Sequence, residues 1–143
     1  MAKIEKTILI NAPVEKVFAF MAKPENLPEI WSSLQEVRNV RPLPNGGYAY
    51  DWTYKMAGMR LEGKAEWTEF VENQRIVDKN ESGIPSTFVW TYWPEGAGTR
   101  VSVSVDYTIP GAVVGKLAEP IVQKMNEHEA ETVLSNLKAR MEG

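Results

Sequence analysis

The sequence predicts an α+β fold, one antiparallel sheet followed by a long C-terminal helix. Three observations carry this reading. Segments with period-two alternation fill most of the chain from Gln35 to Ile109, separated by bends rich in Gly and Pro. One further strand and two short helical segments precede them, while residues 112–143 hold no strand signal. The strands follow one another with no helix between them, so hairpins rather than parallel crossovers connect them. With 143 residues, the chain reads as one domain, 1–143, able to bury roughly 70% of its extended surface without covalent staples.

Taken in order, Ile4, Ile8 and Ile10 alternate with polar residues over Lys3–Ile10, a half-buried strand. Asn11-Ala12-Pro13 reads as a helix start with a capping side chain, and Val14, Val17, Phe18 and Met21 then recur at helical spacing. Pro24–Trp31 carries two prolines and three apolar anchors, a second short helix or turn. Gln35–Arg41 is a strand closed by the turn cluster Pro42–Gly47. Tyr48–Met56 and Met59–Phe70 are strands bent at Ala57-Gly58, and Arg75–Asn80 is a weaker one. Ser86–Trp93 and Thr99–Ile109 are joined across residues 94–98, and Pro110-Gly111 ends the sheet. Ala112–Gly143 is helical, with Pro120 its one interruption.

Composition removes several functions. Sixteen Lys and Arg against nineteen Asp and Glu give a net charge of −3, which argues against bulk phosphate neutralisation on a nucleic acid. The absence of cysteine excludes disulfides, thiolate nucleophiles and Cys-based metal sites, and a single histidine excludes a multi-His centre. No carboxylate set has calcium-loop spacing and no Gly-rich loop precedes a helix, so neither a metal nor a nucleotide cofactor is expected. No segment approaches the ~18 apolar residues of a membrane span, and no apolar signal region follows the first positive charges, so a cytoplasmic protein is expected.

What stands out is the aromatic content, with five Trp, five Tyr and four Phe. A two-residue bend at Ala57-Gly58 would set Met56 opposite Met59, Tyr54 opposite Leu61, Trp52 opposite Gly63, Tyr50 opposite Ala65 and Tyr48 opposite Trp67. Every large aromatic of the pair then shares one face except Phe70, and Asp51, Lys55, Arg60, Glu62, Lys64 and Glu66 share the other. A one-residue slip would bury those charges. Phe88, Trp90 and Tyr92 likewise share a parity that faces Val101, Val103 and Val105. The C-terminal helix must cover this face. Its apolar residues fall into two offset groups, Val114, Leu117, Ile121 and Met125, then Ala130, Val133, Leu134, Leu137 and Met141. The second group is expected to anchor the helix, and the first to sit over less tightly filled space.

Taken singly, each ring is as readily core as ligand wall; Trp52 over Gly63 is ordinary aromatic cover of a strand glycine. As a group they carry too many indole and phenol groups for a dry core and suit a cavity with polar handles. The expected lining is Trp31, Tyr50, Trp52, Tyr54, Trp67, Phe88, Trp90, Tyr92 and Tyr107 from the sheet side, with Leu117, Ile121 and Met125 from the helix. Gly111, Gly115 and Pro120 allow residues 112–119 to be either a mobile lid or a short irregular connector.

At this point the chain resembles the START-like (SRPBCC) helix-grip domains of the polyketide cyclase/dehydrase and coenzyme-Q-binding-protein type. The resemblance runs from Ile8 to Glu142 and rests on several landmarks. These are the opening Ile10–Phe18, the segment Pro24–Trp31, Gly98-Thr99-Arg100-Val101, Tyr107–Gly111 and the tail Leu134–Glu142. It implies a curved antiparallel sheet of about seven strands gripping the C-terminal helix around a hydrophobic cavity. Members bind lipids, quinones, sterols, hormones or aromatic polyketides, and a minority catalyse cyclisation or dehydration. Binding of a hydrophobic or aromatic small molecule is the leading expectation. A cyclase-like enzyme using Tyr50, Tyr54, Tyr92, Tyr107 or His128 for proton transfer is the second. A protein-interaction module is the third, with little support from the mixed charges of Lys116–Gly143.

Overall fold

The structure, a computed structural model, describes residues 2–143. Strand β1 (Ala2–Ile10) leads through helix α1 (Val14–Met21) and a 3-10 turn (Pro24–Glu29) into β2 (Leu34–Pro42). Then come β3 (Tyr48–Met56), β4 (Met59–Val71), β5 (Arg75–Asn80), β6 (Ser86–Glu95) and β7 (Gly98–Tyr107). Helix α2 (Gly111–Val114) and helix α3 (Glu119–Glu142) close the chain. The seven strands form one antiparallel sheet in the order β1-β7-β6-β5-β4-β3-β2. No helix among the described residues is long and apolar enough to cross a membrane.

Register follows the alternation. Met56 faces Met59, Tyr54 faces Leu61, Trp52 faces Gly63 and Tyr50 faces Ala65. Phe88, Trp90 and Tyr92 face Val105, Val103 and Val101. Phe70 is the exception that the structure corrects. Between Trp67 and Glu69 the β4–β5 ladder shifts by one residue, leaving Thr68 as a bulge. The extra residue inverts parity, so Phe70 pairs with Ile76 and its ring stacks on Trp67 at 6.1 Å. A bulge has no signature in an alternation pattern read from one strand.

At α1 the expected cap is absent. Pro13 itself occupies the N-cap position with no side-chain hydrogen bond, and the backbone N–H of Asn11 donates to Glu142 at 2.7 Å. Pro120 does not interrupt a helix either. It sits in the first turn of α3, where its missing N–H is harmless, and the real break is the irregular stretch between α2 and α3. Helix α3 is strapped to the sheet and to the 3-10 turn. Gln123 donates to the carbonyl of Lys3, Lys138 to that of Leu9 and Asn136 to that of Ile30.

The restart at Glu119 resets the helix phase. Val122, Asn126, Ala130, Val133, Leu137 and Met141 form one inward stripe. Ile121 and Met125, expected over the cavity, are 53% and 44% exposed. Of the two offset apolar groups read from the sequence, the second thus lies on this stripe while Ile121 and Met125 of the first turn to solvent. The stripe's Asn126 and Ala130 are polar or small, and a search for apolar spacing passes over them.

The β3–β4 hairpin places Ala57 at φ 50° and Gly58 at φ 80°. Left-handed backbone disfavours Ala but suits Asn or Gly. Ala57→Asn is therefore expected to raise unfolding free energy by about 0.5–1 kcal/mol in urea titration.

Candidate functional site

The concave face of the sheet and the inward stripe of α3 enclose a cavity of about 110 Å³. Its walls gather Tyr50, Trp52 and Tyr54 from β3, Trp67 from β4, and Phe88, Trp90 and Tyr92 from β6. Tyr107 of β7 and Trp31, just before β2, complete the aromatic set. Leu117, Ile121 and Met125 do not line it; α3 contributes Asn126, Glu129 and Ala130 instead. Residues 111–125 contribute nothing to the lining, so the segment weighed as a lid lies elsewhere. Trp93 is on the outer face, 43% exposed. His128 is exposed on α3 and absent from the cavity.

Trp31 is a half-buried part of the wall. Its ring packs edge-on against Tyr54 at 5.8 Å and against Phe88 at 5.6 Å, joining β3 to β6 across the curl of the sheet. Its indole N–H donates to the Tyr54 hydroxyl at 3.3 Å. Trp52 lies over Gly63 so closely that a Cβ there would meet Cζ2 of the indole at 2.4 Å. The same ring crowds Gly83, whose φ is +74°. Both glycines are needed to seat this tryptophan.

Sequence reasoning missed the residues at the centre of the site, Asp78 and Asn80 on β5. Both are buried, at 7% and 6% exposure. Tyr50 donates to Asp78 Oδ2 at 2.6 Å and Trp67 donates to the same oxygen at 3.0 Å. Asn80 donates to Asp78 Oδ1 at 2.7 Å while its own carbonyl accepts from Trp52 at 2.8 Å. Since an indole can only donate, the Trp52 bond fixes the Asn80 amide with its NH₂ toward Asp78. Three donors converge on one carboxyl group, the pattern that suits a carboxylate. A signal existed: Ile76 at the inward parity of a short strand puts Asp78 and Asn80 inward as well.

Electrostatics follow from burial. Desolvation raises the Asp78 carboxyl above its usual range, opposed by the hydrogen bonds from Tyr50, Asn80 and Trp67. Burial, reinforced by the Asp78 charge, raises Tyr50 well above an ordinary phenol. Burial likewise raises Tyr54, Tyr92 and Tyr107. These raised values keep the hydroxyls neutral, so they are not phenolate bases. Tyr107 donates to Gln123 Oε1 at 2.7 Å and accepts from Asn126 at 2.9 Å. The Tyr92 hydroxyl is buried and has no partner. Among the described residues no group of three or more His, Cys, Asp or Glu side chains could hold a metal ion.

A curved sheet gripping a helix around an aromatic cavity defines a START-like helix-grip protein. The sequence matches the family described as polyketide cyclase / dehydrase and lipid transport over residues 1–142, and the chain belongs to that family. Among solved structures it is similar to a START superfamily protein from Mycobacterium smegmatis, with 16% identity, TM-score 0.83 and coverage of 99% of this chain and 98% of that one. It is also similar to the Zhui aromatase/cyclase of a Streptomyces species, with 16% identity, TM-score 0.80 and coverage of 98% and 93%. Protein TTHA0849 from Thermus thermophilus matches at 24% identity, TM-score 0.76 and coverage of 97% and 96%. At these identities the structures share the fold. No functionally curated protein matches the sequence.

Two expectations follow. Gly63→Ala forces the Trp52 indole out of its seat and is expected to cost about 1–3 kcal/mol in denaturant titration, with a shifted tryptophan emission. The raised Asp78 carboxyl means that the folded chain holds this proton more tightly than the unfolded chain does. Stability attributable to Asp78 therefore falls as pH rises from about 4 through the raised value. The difference in unfolding free energy between wild type and Asp78→Asn should move against wild type across that window; a flat difference from about pH 4 to 8 would contradict it.

Proposed function

We propose that this protein binds a hydrophobic, ring-bearing small molecule in the aromatic cavity without transforming it. The observation that carries the reading is the wall itself: apolar rings enclose a space, and their polar tips are tied back to Asp78, Asn80, Tyr54 and Gln123. Such a surface excludes water yet offers fixed polar handles, the usual make-up of a ligand site. The family description, which joins cyclase chemistry with lipid transport, is compatible with it. Trp31, half-buried and packed on Tyr54 and Phe88 at 5.8 and 5.6 Å, is on this reading the side chain that stands at the mouth and is displaced on entry.

One observation favours a cyclase-like second reading. The Tyr50 hydroxyl and Asp78 carboxyl, 2.6 Å apart and buried at the cavity wall, form a pair able to polarise a carbonyl and relay a proton. The two readings separate experimentally. Wild-type protein is expected to retain apolar ligands from a lipid, quinone and aromatic panel in native mass spectrometry, with no new product from a polyketone substrate. Trp31→Ala, by clearing the mouth, is expected to speed ligand exchange several-fold. Turnover that Tyr50→Phe abolishes would establish the enzyme instead, and failure to retain any ligand would refute the binding reading.

A further inference from the structure

The character of the cavity narrows what it takes. Resting on the binding reading above, we infer that the ligand is a neutral, single-ring aromatic compound whose carbonyl-type oxygen accepts a hydrogen bond from the Tyr92 hydroxyl.

Three observations converge on this. The first is size. At about 110 Å³ the cavity is of the order of the engineered core cavity, roughly 150 Å³, that takes benzene. Drug-sized ligands occupy roughly 300–1,000 Å³. A single ring fits the space as it stands, whereas a long acyl chain or fused polycycle would have to extend beyond it.

The second is the free handle. Tyr50, Trp52, Trp67, Trp31 and Tyr107 each spend their polar hydrogen on a protein acceptor. Trp90 and Tyr54 have no such acceptor, but among the lining hydroxyls Tyr92 alone forms no hydrogen bond in either sense, although it is 2% exposed. Its ring is held edge-on by Phe18 at 5.2 Å. A buried donor without an acceptor is unfavourable. A ligand oxygen at ordinary hydrogen-bond distance removes the deficit.

The third is charge. The ionisable acids and bases in the lining are Asp78 and Glu129, both acidic, and no Lys, Arg or His joins them. Asp78 forms no ion pair with any described cation, its oxygens being held by Tyr50, Trp67 and Asn80. A ligand carboxylate or phosphate entering this low-dielectric space would meet like charge with no compensation. The site thereby selects aryl ketones or aldehydes over aryl acids.

Chemical-shift titration of wild type and Tyr92→Phe with acetophenone, ethylbenzene, benzoate and phenethylamine tests this near pH 7. Wild type is expected to prefer acetophenone to its near-isostere ethylbenzene roughly tenfold, the worth of one buried hydrogen bond. Benzoate should bind at least about tenfold more weakly than acetophenone. Tyr92→Phe should bind the two neutral compounds equally, and its apo form should melt at or above the wild-type temperature, because only an unpaired hydroxyl is lost. Equal wild-type affinities, or a ketone preference retained in Tyr92→Phe, would overturn the Tyr92 handle while leaving apolar binding intact. Benzoate or phenethylamine binding more tightly than acetophenone would overturn the charge reading, the amine by moving the handle to Asp78. Retention of lipids or quinones with no uptake of any ring compound would overturn the size limit alone. Uptake of nothing from either panel would refute the binding reading itself.

Discussion

A sheet face built from Trp and Tyr needs acceptors for the indole N–H and phenol O–H groups it buries, and finding them for Tyr50, Trp52, Trp67 and Tyr107 organises the cavity. The acceptors are few and central. Asp78 serves Tyr50 and Trp67, and Asn80 relays Trp52 onto the same carboxylate. The result is an apolar cavity with one buried carboxyl group at its polar centre. Removing either β5 side chain would leave donors stranded in a dry interior, which is more costly than never having had the bonds.

The same requirement explains placement along the chain. Trp52 can reach Asn80 only because Gly63 and Gly83 leave room for its ring. The Thr68 bulge turns Phe70 inward, where it packs on Trp67 and Phe18. Outside the sheet the charges form exposed pairs such as Arg38 with Glu62 at 3.0 Å, which contribute little to stability but hold the register by being intolerable inside.

Much of this was legible in the residues. Alternation fixed the β3–β4 and β6–β7 registers because a one-residue slip would have buried a row of charges. The eight strand aromatics of the lining were legible because parity and ring size are both visible in a string of letters; Trp31, outside the strands, has no parity to read. What escaped notice was polar and inward. Asp78 and Asn80 lie on a short strand whose single inward apolar marker is Ile76, and Asn126 and Glu129 lie on a helix face identified by seeking apolar residues. Ile121 and Met125 were placed wrongly for the complementary reason. They are apolar, but the helix begins anew at Glu119, and that phase turns them to solvent. Hydrophobic spacing locates a core well and a cavity poorly, because a cavity is lined in part by the residues that such spacing discards.

The central claim is that the cavity is a small, neutral-ligand site with one hydroxyl left free for its tenant. A crystal structure of the wild-type protein with acetophenone tests it most directly. The account predicts a single ring between Trp67, Trp90 and Phe88, its oxygen about 2.7–2.8 Å from the Tyr92 hydroxyl and Asp78 still held by its three donors. A ligand bound elsewhere, or a cavity filled by ordered water bonded to Tyr92 while acetophenone is in excess, would contradict it.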